Sequence, residues 1–350
     1  MTAIHTDLFS DTQTRPTPAM RRAMAEAPVG DEQLGEDPSV NRLCALVAEL
    51  LGKEAAVFLP SGTMCNEIAI LVHCGRGDEI IADRTAHIIN FEGGGPAALT
   101  GALVNPVDGA AGVFTAEQAE RAIRTPPSRY SPRTRLVCVE QTSNLGGGTV
   151  WPLAEIRAVA AVARGHGLAL HMDGARLMNA VVASGAAARE HAAPFDSVWL
   201  DLSKGLGCPV GAVLAGSAGF VEEAWRWKQR IGGALRQAGI VAAAGIHALE
   251  HHVERLAEDH ANAHAFAERV AEIPGIAVEP ERVQTNIVFF DVGATGLAAP
   301  EVARRLAERG VRIGAMDRRL MRAVTHLDVD AERVRGAAEA LTAVVGAAAR

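Results

Sequence analysis

A carboxylate and an amine follow two successive apolar runs: Asp173 closes GLALHMD, and Lys204 lies just beyond DSVWLDLS. Ligands of open α/β sheets bind at the carboxyl ends of the strands, so residues at equivalent ends of successive strands face one crevice. Upstream, AAVFLP runs into Ser61, Gly62 and Thr63, a strand-to-helix junction whose free amides and hydroxyls favour an anion such as phosphate. His87, in TAHIINFE just past EIIAD, adds a flat ring that could stack on a planar ligand. Each of these admits a plainer role: Ser61 or Thr63 as a helix N-cap, Asp173 as the N-cap of ARLMNAV, His87 as an ordinary buried or capping histidine. Lys204 resists that reduction, because lysine is an odd choice between an apolar strand and the glycine turn SKGLG, whose glycines let a bulky group come close.

A carboxylate that could hold a pyridinium nitrogen, a lysine that could form a Schiff base and an anion cup are together the three contacts of pyridoxal 5′-phosphate. The elements that must position them are legible from about residue 54 to 215. Short apolar runs (AAVFLP, EIIAD, RLVCVEQT, GLALHMD, DSVWLDLS, GAVLAG) alternate there with helical patterns, which predicts a mostly parallel α/β sheet with helices on its faces. LAEIRAVAAVARGHG and ARLMNAVVASG repeat their apolar residues every three or four positions and read as amphipathic helices. Beyond Gly216 come long helical stretches, the strand-like NIVFFDV, the helix PEVARRLAERG, a second strand pair and a closing Ala-rich helix. The expected division is an N-terminal arm over 1–15, a large cofactor-binding α/β domain over 16–246 and a smaller α+β domain over 247–350.

Composition narrows the function classes. With 350 residues, 49% of them apolar and 21% charged, the chain has enough core for one large or two ordinary domains, which excludes disordered and fibrous classes. Against 34 basic residues stand 41 acidic ones, with no basic helix face, so nucleic-acid binding has no electrostatic basis. Cys44, Cys65, Cys74, Cys138 and Cys208 form no CxxC pair, which argues against a disulfide framework or a thiolate metal site and for a reducing cytoplasm. Asp7 and Asp11 stand where a signal peptide needs an apolar core, and the longest uncharged run, Gly205 to Val221, is broken by glycines and a proline. Neither secretion nor membrane insertion is expected. The single tyrosine, Tyr130, lies in TPPSRYSPRTR and argues against a catalytic tyrosine. His260 and His264, like His251 and His252, read as a solvated helix face rather than a metal clamp, and no metal is expected; His326 reads as support for Arg322.

Over nearly the whole chain the residues resemble the pyridoxal-phosphate fold type I enzymes and, within them, the low-specificity threonine aldolases of the β-eliminating-lyase group. The resemblance is carried, in order, by SDTQTRPTPAM (10–20), PVGDEQLGEDPSVN (28–41), GKEAAVFLPSGTMCN (52–66), HMDGARLMNA (171–180), SKGLGCPVG (203–211), GGALRQAG (232–239) and RAVTHLDV (322–329). It implies an aspartate-aminotransferase-like fold: a mostly parallel, mixed seven-stranded sheet with flanking helices and a smaller C-terminal α+β domain. It implies that Lys204 bonds the cofactor covalently, Asp173 keeps the pyridine nitrogen protonated, Arg176 sits beside the ring and His87 stacks over it. Ser61, Gly62 and Thr63, with Arg236, would bind the phosphate. Ser10 and Arg322 would grip the substrate α-carboxylate, which a planar guanidinium matches bidentately. Dimers or tetramers are implied as well.

Three positions depart from the family pattern. Ser143, in EQTSNLGGGTVWP (140–152), stands where a histidine near the substrate hydroxyl is usual. Leu34 replaces an aromatic residue, and Ile89 occupies the place expected for another one after the stacking histidine. The implied reaction is reversible cleavage of a β-hydroxy-α-amino acid, such as L-threonine or L-allo-threonine, to glycine and an aldehyde, with bulky or apolar β-substituents favoured. The rival readings are another lyase or a racemase on the same scaffold, a noncatalytic relative, and a dinucleotide-binding oxidoreductase. The last is weakest, because GGG at 93–95 and 146–148 lacks a strand-GxGxxG-helix setting.

Overall fold

The computed structural model describes residues 3–126 and 128–348. Its strands are β1 (Thr6–Asp7), β2 (Ala55–Leu59), β3 (Asp78–Asp83), β4 (Leu103–Val107), β5 (Arg133–Glu140), β6 (Ala169–Asp173), β7 (Ser197–Asp201), β8 (Ala212–Gly216), β9 (Ile287–Asp291), β10 (Val311–Arg312), β11 (Gly314–Ala315) and β12 (Leu320–Val324). Seven of them form one sheet in the order β2-β8-β7-β6-β5-β3-β4. Only β8 runs antiparallel to its neighbours β2 and β7; the four remaining pairings are parallel. The six apolar runs all become strands of this sheet. The seventh, β4, carries Pro106, which has no N–H for a second ladder and therefore suits an edge.

Local sequence sets the helix ends as well. In the helix Pro38–Leu51, Asp37 Oδ1 accepts from the amides of Ser39 and Val40, proline occupies the first turn, and Gly52 ends the helix in the left-handed region at φ 64°. Two large apolar cores result. One packs helices on the seven-stranded sheet around Phe58, Trp151, Leu170 and Val213. The other joins Phe266, Phe290, Leu306 and Leu341 around the three-stranded antiparallel sheet β11-β12-β9.

The expected division at 246/247 falls inside the helix Gly239–His251, where Ala244, Ile246 and Ala248 all enter the first core. The second core begins along this part of the chain only at Ala263, past the turn 252–255. The apolar helical pattern runs unbroken through that region, so composition could not mark the change of partner. The N-terminal arm is not free: β1 pairs in parallel with β10, and Leu8 is buried in the second core. Among the described residues no helix is long and apolar enough to cross a membrane.

Candidate active site

Acidic residues close three neighbouring parallel strands in the middle of the large sheet, at their carboxyl ends: Glu140 ends β5, Asp173 ends β6 and Asp201 ends β7. All three are buried, and Lys204 follows Asp201 by one turn. The Lys204 ammonium is paired with the Asp201 carboxylate. Burial alone would lower the Lys204 pKa; the Asp201 charge and hydrogen bond, with the Asp11 charge, together outweigh it, and the net shift is upward. The lysine carbonyl is pinned from the other side by Thr14 Oγ1 at 2.9 Å, so the N-terminal arm helps fix the turn.

Asp173 sits at the floor of this crevice. Its Oδ1 accepts from the Ala175 amide at 3.0 Å and its Oδ2 from Asn66 Nδ2 at 2.8 Å. Burial raises its pKa, opposed by the charges of His87 and Lys204 and by the Asn66 hydrogen bond. Asn66 is a hub that sequence reading missed: its Nδ2 also donates to Glu92 Oε1 at 2.6 Å, and its Oδ1 meets His171 Nε2 and accepts from Trp199 Nε1 at 2.7 Å. His87, partly exposed at the start of the short helix His87–Asn90, donates its amide to Glu140 Oε2 at 2.7 Å and places Nδ1 2.8 Å from Glu92 Oε1. Burial would lower the His87 pKa, but the bond to Glu92 and the charges of Asp173, Glu92 and Glu140 raise it overall. Burial, with the neighbouring Asp173 charge, pushes Glu140 up to about 7.

The N-terminal segment and β12 close the other wall. Arg176 lies buried just past β6 in a bidentate pair with Asp11. Arg322, on β12, donates to Asn144 Oδ1 at 2.8 Å and reaches the Phe9 carbonyl at 3.4 Å. Its Nε is buried with no hydrogen-bond partner among the described residues. A guanidinium with an unused buried donor is suited to an arriving carboxylate. Ser10, next to Phe9, is occupied locally: its Oγ accepts from the amide and hydroxyl of Thr12.

Ser61 acts as the N-cap of the helix Gly62–His73, accepting from the Met64 amide, which leaves the earlier amides of the first turn free for an anion. Gly62 is required there, since a Cβ would lie 2.2 Å from the Trp199 ring, and Thr63 is exposed. The exposed Arg236 guanidinium pairs with Asp31 at 2.7 Å, and none of its hydrogen bonds joins it to the Ser61–Thr63 turn. Ser143 is buried, and its Oγ accepts from the Gly146 amide, so it shapes the loop after β5.

Other expectations change. The aromatic ring beside His87 is Phe91, 5.4 Å away between centroids, whereas Ile89 packs into an apolar cluster with Ile70, Ile80 and Leu136; a helical turn carries position 91, not 89, toward the histidine. Leu34 is 70% exposed. His326 binds the Asp7 carbonyl and so secures the arm, with no hydrogen bond to Arg322. Of the helix histidines, His251 and His264 are exposed as expected, but His252 is buried on the Leu206 carbonyl and His260 meets Asn179, because their side packs on the first core. Among the described residues, the group with metal-ligand spacing is His87, Glu92 and Asp173. Asn66, Glu92 and Asp201 were the missed residues of the site; Asp201 had a signal, since it ends an apolar run as Asp173 does.

Residues 7–293 match the family described as Beta-eliminating lyase. The chain is 44% identical over 329 residues to the low specificity L-threonine aldolase of Escherichia coli, covering 94% of this chain and 96% of that one. It is 41% identical over 324 residues to low-specificity L-threonine aldolase 1 of Arabidopsis thaliana, covering 91% and 90%. Among solved structures, the threonine aldolase of Leishmania major superposes with a TM-score of 0.82 at 21% identity, covering 97% of this chain and 99% of that one. The serine palmitoyltransferase of Sphingomonas wittichii superposes with a TM-score of 0.77 at 20% identity, covering 98% and 88%. The shared architecture is that of pyridoxal-phosphate fold type I.

Proposed function

We infer the activity from one premise: this chain belongs to the beta-eliminating lyase family. It is a pyridoxal-phosphate-dependent aldehyde-lyase that cleaves threonine to glycine and an aldehyde. The observation that carries this reading is the crevice in which Asp173, Lys204 and the unpartnered Arg322 Nε meet the ends of adjacent parallel strands. Its residues fit the cofactor: an amine beyond one strand, a buried carboxylate closing the next, a glycine backed by a Trp199 ring at a helix N-terminus, and a guanidinium with a donor to spare.

Pyridoxal phosphate supplies an aldehyde for an amine to engage and a ring that accepts electrons. Lys204 would hold it covalently, and Asp173 would keep the proton on its ring nitrogen. The first turn after Ser61 would bind its phosphate, and His87 would cover the ring face. Arg322, steadied by Asn144, would take the substrate carboxylate and so orient the bond to be broken. Ser143 is no base, because a hydroxyl does not titrate near neutral pH; of the two titrating groups here, Glu140 is buried and occupied by the amides of His87 and Asn144, so the partly exposed His87 would act, directly or through a water. Arg236 would reach the phosphate only by leaving Asp31 or from a second copy of the chain. Self-association in dimers or tetramers belongs to this reading, supported by exposed Val29, Leu34 and Ile240. A cytoplasmic location is supported by five free cysteines.

The test is an absorbance spectrum of the purified protein, glycine addition, and trapping of the aldehyde released from threonine. A cofactor band with stoichiometric acetaldehyde and glycine is expected. Racemised threonine without aldehyde would make the enzyme a racemase, and a colourless, inactive protein would make it a noncatalytic relative.

A further inference from the structure

Two glutamates behind His87 have no part in the reaction as described. Glu67, on the helix Gly62–His73, and Glu92, just after Phe91, are both buried. Glu92 Oε1 is well served, by Asn66 Nδ2 at 2.6 Å and His87 Nδ1 at 2.8 Å. Its Oε2 and both oxygens of Glu67 are sealed from solvent, and no N–H or O–H of the described residues reaches them. Yet the two carboxyls lie within hydrogen-bonding reach of each other. Carboxylates in such contact do not both ionise, and the unserved oxygens can share a bond only if one carboxyl keeps its proton and donates it to the other. Glu67 is the one that keeps it. Asn66 Nδ2 and His87 Nδ1 both face Glu92, whereas no donor faces Glu67, and burial with the hydrogen bond and charge of Glu92 pushes Glu67 up to about 8. Gly95, last of the 93–95 glycines, completes the seal: a Cβ there would lie 1.9 Å from Glu67 Oε1.

We infer that Glu67 and Glu92 are positioning residues for His87: protonated Glu67 donates to Glu92, and ionised Glu92 holds a hydrogen on His87 Nδ1, leaving Nε2 to exchange protons in the crevice. The charges facing the trio are Asp173 on β6 and Glu140 on β5, which favour a protonated His87, and Lys204 beyond β7, which acts on Asp173. His171, on the far side of Asn66, is pushed down to about 3 by burial and is neutral. The role of Nε2 rests on the function proposed above; the proton on Glu67 and the hydrogen on Nδ1 do not.

The test uses the holoenzyme with Glu67→Gln, which mimics the protonated acid, and Glu92→Gln. Infrared spectra in D2O at neutral pH should show the C=O stretch of a buried, protonated carboxylic acid that Glu67→Gln lacks. Stability gives a second readout. A carboxyl whose folded pKa is raised from 4.5 to about 8 contributes stability below 4.5 that is lost as pH rises toward 8. The Tm of Glu67→Gln relative to wild type should therefore climb between about pH 5 and pH 8. In activity, the acidic limb of kcat/KM should stay in place in Glu67→Gln and move to lower pH by about one unit in Glu92→Gln, which removes the charge that raises His87. No lost infrared band, a Tm difference independent of pH, or a Glu92→Gln limb identical to wild type would each overturn the inference. The infrared and Tm results need no turnover, so a protein that shows both but releases no aldehyde refutes the proposed reaction and leaves the proton on Glu67 standing.

Discussion

Asp11 and Arg176, 165 positions apart, form a bidentate ion pair, Nε to Oδ2 at 2.7 Å and Nη2 to Oδ1 at 2.8 Å, with neither side chain more than 4% exposed. Asn286, just before β9, donates to the same carboxylate at 3.1 Å. Segments next to β1, β6 and β9 thus meet on one acid, whose pKa burial would raise but Arg176 holds well below the usual carboxylate range. Asp11→Ala leaves a buried guanidinium without its partner and should cost about 3–5 kcal/mol in urea unfolding. A loss below about 1 kcal/mol would place the pair among exposed ones.

Lys204→Ala should fold but lose both the covalent cofactor band and turnover, since the ammonium at Asp201 is the amine in this crevice. Asp173→Asn should keep the cofactor and lose about 10²–10³-fold in kcat, because a neutral amide cannot hold the ring nitrogen protonated. Wild-type turnover in either variant contradicts the assignment.

Ser143 contributes one neutral hydroxyl that already accepts from Gly146. Ser143→Ala should therefore lower kcat/KM by about tenfold at most. His87→Ala should cost more, since it removes a ring and a titrating group together. Discrimination between threo and erythro substrates should be weak, read from kcat/KM of both diastereomers; a thousandfold loss in cofactor-loaded Ser143→Ala would assign that serine a larger role.

Acid should destabilise the fold through buried neutral histidines. Burial pushes His73 and His260 down to about 4 and His171 to about 3, from 6.5. The unfolded chain then binds more protons between about pH 4 and 6.5, so this stability is present above 6.5 and drains away as pH falls. A Tm profile should drop through that window, less steeply in His260→Gln. A flat profile would show these rings protonated in the fold.

Leu34, 70% exposed on this chain, can meet a substrate only where a second copy of the chain covers it, and it has no hydroxyl to favour a small polar side chain. β-Aryl and long-chain β-hydroxy amino acids should be cleaved at least as well as threonine, each buried methylene contributing about 0.8 kcal/mol. A kcat/KM series falling steadily from threonine to phenylserine would contradict this.

Asp173, Lys204 and the Ser61–Thr63 turn were legible because each sits next to a short apolar run, and strand ends are marked locally by the switch from apolar residues to glycine and polar ones. The same marking was available for Asp201. That Phe91 is the ring beside His87 was not legible, because the direction of a side chain in a four-residue helix depends on where that helix starts, which no neighbouring pattern announces.

By itself the sequence determined six of the seven strands of the large sheet, the mostly parallel α/β class and which side chains stand at the strand ends, because periodicity and turn chemistry act over a few positions. Tertiary structure alone decided the pairings of Asp11 with Arg176, Arg322 with Asn144, and Asn66 with Asp173 and Glu92. It also decided that the arm pairs with β10 and that the helix Gly239–His251 belongs wholly to the first core. These contacts join residues far apart in the chain, and a buried polar group takes whichever partner the packing brings within reach, which no local pattern records.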